Sequence, residues 1–490
     1  MFFRNSPPPV PYCDRERSLM THFVTHTERT HAAVRSKDEP PLDSGFIPWL
    51  GHALDFSRDA AKFLARMKKK HGDIFTVRIA GHYITVLLDP KSYDAVLQDC
   101  DSLDYSNQKV VQRVFDLNWP NKNQVDGRLW MKQHFQGQNL VHLCTLMNKN
   151  IQALVRSPDT IHNTTNWEKD GLFDFCYRLL FKAGYLTLFG LEQNGTTVNE
   201  VYKEFRTFDG LLAKTARSTL SLVEKRTACS ARQHLWNLLS LSYHSRPAVS
   251  SSWQQEYHQY LQEMGLDKET QRRAMLLQLW VTQCNAGPAA FWLLGWLLTH
   301  PKAMQSVRAE IERIMPNSAE CLNNTHKTPV FDSVLNETLR LTAAIFINRE
   351  VKKDMVLDMA DGKAYRLRRG DRVCLFPYLS PQMDPSIHKE PEKFKYDRFL
   401  NTNGTEKSDF LKDTNKLKYY TLPWGAGANI CVGQHFAINA IKQFVFVVLT
   451  SLDMELCDPN SSMPPLDPSR YGFGMLQPDG ELPIRYRTKK

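Results

Sequence analysis

The sequence predicts a mainly α fold with a small β region, and three observations carry that expectation. Helical periodicity dominates from about residue 125 to about residue 350. Inside that stretch Ala274–Leu298 reads AMLLQLWVTQCNAGPAAFWLLGWLL, apolar on every face, as a helix crossing the middle of a large core does. Strand signals, by contrast, are short and β-branched: Phe75–Ile79, Tyr83–Leu88, Val356–Met359, Arg366–Leu367 and Val373–Phe376.

Taken in order, residues 1–39 are polar, carry a PPPVP run and contain no apolar stretch. They read as a disordered extension without a signal peptide or membrane helix, and 40–490 as a single domain. Pro40–Gly51 is a turn-rich entry to that domain. Asp59–Lys70 predicts a helix with Ala60, Phe63, Leu64 and Met67 on one face. Gly81 separates the first two strands. In the apolar run Pro288 removes one backbone hydrogen bond, so a bend is expected there, beside Asn285. Gln278, Gln283 and Asn285 interrupt the run and argue against a bilayer span. Pro316–Lys327 and Asn401–Lys418 read as surface loops. A last strand pair, Tyr471–Leu476 with Leu482–Tyr486, is expected across Pro478-Asp479-Gly480.

The chain has 490 residues, 42% apolar and 23% charged, which allows a sizeable core. Its net charge of +10 is spread along the chain. The densest basic cluster, Lys68-Lys69-Lys70, reads as a solvated helix face, or as a pull toward an anionic membrane. No aromatic-interleaved basic pattern points to nucleic acid. The ten cysteines show no CxxC pair and no regular spacing, which argues against zinc and against a disulfide framework, and for a reducing setting.

One cysteine stands apart. Cys431 lies in Trp424–Gly433, WGAGANICVG, directly before an amphipathic helix pattern through Phe436, Ile441, Phe444, Val445 and Val448. N–H groups at a helix start favour a thiolate. Gly425 and Gly427 leave room for a flat ligand to approach the backbone. A lone thiolate beneath a planar partner is how sulfur holds haem iron; a buried structural cysteine is the plainer alternative. Upstream, Glu337 and Arg340 in NETLRL lie three apart on one helix face, followed by Arg398 in EPEKFKYDRF.

This order of ExxR, arginine and Gly-rich cysteine turn resembles the cytochrome P-450 superfamily of haem-thiolate enzymes, over about residues 41–490. The resemblance implies the cytochrome P-450 fold, with haem b (iron protoporphyrin IX) between the long distal core helix and the proximal Cys431 turn and helix. It implies Cys431 as the iron ligand and an ion triad of Glu337, Arg340 and Arg398. It also implies cofactor contacts from Trp424, Gly425, Gly427, Ala286 and Arg349. Trp130 and His134 resemble a Trp-x-x-x-Arg haem contact with His in place of Arg, or else a packed tryptophan. Asn429 stands where a basic residue for a haem propionate is usual.

Oxygen-activating members carry an acid and an alcohol on the distal helix, where this chain reads Ala286-Gly287-Pro288-Ala289-Ala290. A methyl group delivers no proton to bound dioxygen. The stretches NAGPAAFWLL, LRLTAAIFINREV and SRYGFGMLQP resemble instead a branch of the family that isomerises prostaglandin H2, a bicyclic fatty-acid endoperoxide, needing neither dioxygen nor a redox partner. That resemblance implies Asn285 as the group orienting the peroxide, or else as a cap for backbone freed by Pro288. It makes Trp280, Phe346, Met475 and Leu476 candidate substrate contacts. It also implies attachment to the cytosolic face of the endoplasmic reticulum, with Phe46–Leu50 dipping into the membrane surface. Dehydration of fatty-acid hydroperoxides is a lesser activity the same chemistry allows. An NADPH- and dioxygen-dependent sterol hydroxylase of the bile-acid pathway and a non-catalytic haem carrier or sensor are the alternatives.

Overall fold

Helices α1 (Gly137–Arg156), α2 (Leu172–Leu188), α3 (Val198–Arg217), α4 (Lys268–Gln283), α5 (Ala286–Thr299), α6 (Pro329–Thr342) and α7 (Gln434–Ser451) build the core of this computed structural model. It describes residues 36–489 apart from 106–107, 120, 158–160, 162–165, 191–197, 242–252 and 315–326. The expected disorder of 1–39 and the loop at Pro316–Lys327 fall almost wholly outside the described residues.

α5 is the central strut. Ala289, Ala290, Phe291, Trp292, Leu293 and Leu294 are each at most 1% exposed, so the helix is buried all round. α2 crosses it closely at Gly287, where a Cβ would meet the Tyr177 ring at 2.5 Å. α6 and α7 close the other sides, with Phe331, Leu335 and Leu339 of one and Phe444, Val445 and Val448 of the other in the same core.

The apolar run does not form one bent helix. It splits into α4 and α5 at Cys284–Asn285, ahead of Pro288. Proline lacks the N–H that would reach Cys284 O, and the Tyr177 hydroxyl donates to that carbonyl instead at 3.4 Å. The disruption therefore appears one turn upstream of the proline that causes it.

The β region holds β1 (Leu42–Asp43), β2 (Ile74–Ile79), β3 (His82–Leu87), β4 (Leu103–Tyr105), β5 (Ile347–Val351) and β6 (Arg372–Leu375) in one sheet of order β1-β2-β3-β6-β5-β4. β2 and β3 are antiparallel about the Gly81 turn, and β3 runs parallel to β6. In this register Arg349 of β5 lies opposite Val373 and Tyr105. Met355–Asp358 and Ala364–Leu367, near the strand signals at Val356–Met359 and Arg366–Leu367, pair as a separate ribbon, and Asn401–Lys418 contains a two-residue ladder within an otherwise irregular loop.

The expected C-terminal hairpin does not form. Pro483–Thr488 pairs with Leu452–Leu456 on one side and Glu168–Gly171 on the other. Residues 471–476 are irregular, touching the end of α6 and the segment after it through isolated bridges, Ala343 to Met475 and Ile345 to Gly472. Positive φ at Gly472 (+94°) and Gly474 (+99°) keeps this segment out of a strand. Among the described residues no helix is long and apolar enough to cross a membrane.

Candidate active site

The Cys431 turn is built by backbone. Its N–H donates to Trp424 O at 2.9 Å, closing the loop on itself. Gly425 and Gly427 have φ of +72° and +66°. A Cβ on Gly427 would sit 2.8 Å from Leu97 O. Gly427 thus serves the loop's own conformation and its packing on Leu97, while a Cβ at Gly425 would meet nothing closer than Asn429 O at 3.5 Å. Trp424 is half-buried against the main core.

The thiol of Cys431 is uncovered by any side chain, although protein surrounds it: burial pushes its pKa up. The Gly433 N–H and the charge of Arg128 oppose that shift without overcoming it. Charge from a bound metal ion is what deprotonates a coordinating thiol in such a site. An accessible sulfur in an otherwise protein-filled hollow fits a haem-iron ligand, and does not fit a packed structural cysteine. Arg128, which the sequence did not single out, donates to Ile430 O, the residue before Cys431.

Beneath the turn the ion triad is complete. Arg340 Nε and Nη2 donate to Glu337 Oε2 and Oε1 at 2.7 and 2.9 Å, and both side chains are wholly buried. Arg398 Nε donates to the same carboxylate at 2.9 and 2.8 Å. Both arginines spend their remaining donors on carbonyls, Gln382 O for Arg340 and Lys389, Glu390 and Lys393 O for Arg398. No member is left with a bare charge.

On the opposite side stands the helix break. Asn285 Oδ1 accepts the Met475 N–H at 3.0 Å, and a Cβ at Gly474 would lie 2.4 Å from that oxygen. Asn285 therefore does not cap backbone freed by Pro288. Its acceptor is committed to the C-terminal segment, which leaves its amide NH2 as the group available to a ligand. Neighbouring Cys284 lies within electrostatic reach of Cys431. Ala286 is half-buried at the start of α5, and Ala289 and Ala290 are packed, with no polar side chain at either position.

The remaining candidates part company. Phe346 lines an apolar cavity of about 170 Å³ with Phe56, Leu64, Val77, Val86 and Arg349. Arg349 is 4% exposed and its strand presents it to that cavity, where an anionic cofactor edge would find it. Met475 is buried beside Asn285. Leu476 is fully buried, its carbonyl accepting from Trp292 Nε1 at 2.7 Å, and it packs the core instead of lining open space. Trp280 is half-buried and donates from Nε1 to Asp209 Oδ1 at 2.9 Å. Trp130 stacks on His134 at 3.7 Å, and His134 pairs with Glu256 Oε2 at 3.1 Å. That pair packs against helix Trp253–Glu263.

An accessible cysteine turn, a buried ExxR–arginine triad and a broken helix whose Cys284 feels the charge of Cys431 together fit a haem-thiolate site. The chain belongs to the cytochrome P450 family, whose model matches residues 40–484. It is 48% identical to prostacyclin synthase of Rattus norvegicus and to that of Homo sapiens, in each case over 93% of this chain and 95% of the relative. It is 41% identical to the 7-alpha-hydroxycholest-4-en-3-one 12-alpha-hydroxylase of Oryctolagus cuniculus, over 93% of this chain and 94% of the relative.

Proposed function

We propose that the protein is a haem-thiolate isomerase that converts prostaglandin H2 to prostacyclin, as its relatives' name indicates. The observation that carries this is the distal side: an amide NH2 at Asn285, a packed Ala289–Ala290 pair, and no acid or alcohol between them. Bound haem supplies an iron centre whose thiolate-donated electron density favours cleavage of a weak O–O bond.

The chain's own residues do the rest. Cys431 supplies the sulfur ligand. The Gly433 N–H near that sulfur tunes how strongly it donates. Asn285, held by Met475, presents N–H to an endoperoxide oxygen and fixes which oxygen faces the metal. Phe346 and its apolar neighbours exclude water from a carbon-centred reaction. Arg349 stands where a haem propionate would be neutralised. Because a peroxide already holds both oxygens, no proton relay is required, in line with the alanines, and neither dioxygen nor a reductase takes part. The same groups would dehydrate fatty-acid hydroperoxides.

We place the catalytic body at the cytosolic face of the endoplasmic reticulum. Phe46 and Trp49 are 103% and 63% exposed, an apolar surface suited to a bilayer interface. Cell fractionation checks this, with recovery wholly in the soluble fraction the opposing result.

Mixing haem-loaded ferric protein with prostaglandin H2, without NADPH or reductase, tests the activity. Rapid prostacyclin formation is expected. Strict dependence on NADPH and dioxygen, with a sterol as the better substrate, would replace this reading by the hydroxylase one. Haem binding without turnover of either would leave a carrier.

A further inference from the structure

Beyond the iron site, three arginines lie near one another, and two of them share one carboxylate. Asp209 on α3 is wholly buried, and its oxygens are filled. Oδ1 accepts from Trp280 Nε1 at 2.9 Å and Arg470 Nη2 at 3.1 Å. Oδ2 accepts from Gln477 Nε2 at 2.8 Å, and the Tyr177 hydroxyl, whose one hydrogen it shares with Cys284 O, lies 3.4 Å away. Arg206, stacked over Tyr177 at 4.3 Å, adds its charge to the same carboxylate. Arg470 Nε and Arg206 Nη1 are buried without hydrogen-bond partners.

The third arginine, Arg217, ends α3 and is left out of this arrangement. Its Nη1 and Nη2 donate to Ser469 O and Tyr471 O at 2.6 and 3.0 Å, and its guanidinium lies 5.3 Å from the centre of the Phe473 ring. Among the described residues no carboxylate lies within ion-pair distance of it. Burial and the charge of Arg470 disfavour its cation, while Asp467, beyond ion-pair distance, favours it. Two of its five N–H donors are used. A half-buried guanidinium bonded only to carbonyls, with donors to spare, suits an anion.

We infer that Arg217 anchors the carboxylate of the substrate. The inference rests on the isomerase reading, which supplies an acid of fatty-acid length. One short segment ties Arg217 to the site: Tyr471 O bonds Arg217 and Met475 N bonds Asn285. Four residues of chain span at most about 14 Å. An extended fatty-acid chain covers that distance between its carboxylate and a mid-chain ring. Between the two points Gly472 lies against Phe346, which lines the apolar cavity. Arg217 thereby fixes how far the chain enters, and so which ring oxygen Asn285 meets.

The test titrates haem-loaded protein with a stable endoperoxide analogue, as free acid and as methyl ester, reading the Soret shift. A charge-assisted hydrogen bond corresponds to about a tenfold or greater preference for the acid. Unmodified protein is expected to show that preference, Arg217→Gln to bring it to about one, and Arg217→Lys to retain part of it. A variant that merely loosened the 469–473 segment would weaken acid and ester alike and keep their ratio. An unchanged ratio in Arg217→Gln, or no preference in unmodified protein, overturns the inference while leaving the isomerase reading intact. If neither compound moves the Soret band and a sterol does, both fall.

Discussion

Glu337 accepts hydrogen bonds from two arginines inside a site closed to solvent. Glu337→Gln removes the shared charge and strands two guanidiniums, so a loss of about 3–5 kcal/mol is expected in urea unfolding, with haem retention falling in step. Cys431→Ser should abolish the thiolate signature of the ferrous carbonyl complex while leaving the polypeptide folded, because the turn is closed by a backbone hydrogen bond that the substitution keeps. Asn285 separates two roles in one side chain. Asn285→Ala leaves the Met475 N–H unpaired and should cost about 1–3 kcal/mol as well as activity. Asn285→Asp keeps the acceptor but loses the donor, so it should fold normally and still lose turnover. Equal activity of Asn285→Asp and unmodified protein, measured as initial rates on prostaglandin H2, would remove the donor role.

At the level of elements, α5 depends on how close α2 can come. Gly287→Ala drives a methyl group into Tyr177, an overpacking expected to cost about 1–3 kcal/mol in thermal or urea unfolding. The same contact shows what was legible in the sequence. The apolar run announced a core helix and Pro288 a disruption, but the tight crossing at Gly287 depends on Tyr177, more than a hundred residues upstream. The Glu337–Arg340 pair and the Cys431 turn were legible because each rests on short spacings, whereas Arg398, 61 residues from Glu337, joined them only through the family resemblance. Asp209, Arg470 and Gln477 were not, since they meet only through tertiary contact and none has a local signature. The strand pair at 471–486 misled because alternation cannot say which partner a strand will take, and Glu168–Gly171 carries no β-branched signal of its own.

For the whole molecule, acid is the expected weakness. His388 is 1% exposed, and burial holds its pKa down at about 3 against an ordinary 6.5. The nearby Arg340 and Arg398 push the same way, while the hydrogen bond to Tyr420 O opposes them. The unfolded chain therefore binds a proton that the folded chain refuses throughout that window. Stability should fall as pH drops from about 6.5 toward about 3, by up to about 1.4 kcal/mol per pH unit from this group. Urea midpoints across that range should follow a shallower slope in His388→Gln. An identical slope would mean that other groups carry the acid response.

The bond from Met475 to Asn285 also has a consequence for biosynthesis. A ribosome that has just released the Cys431 turn has made every ligand the iron needs, but the distal amide still lacks its holder, and Glu168–Gly171 still waits for Pro483–Thr488. Haem captured at that moment would meet a half-walled cleft. The segment made after the Cys431 turn is what finishes the chamber, so an emerging molecule can handle its reactant safely only once residues 471–488 have followed that turn out of the ribosome.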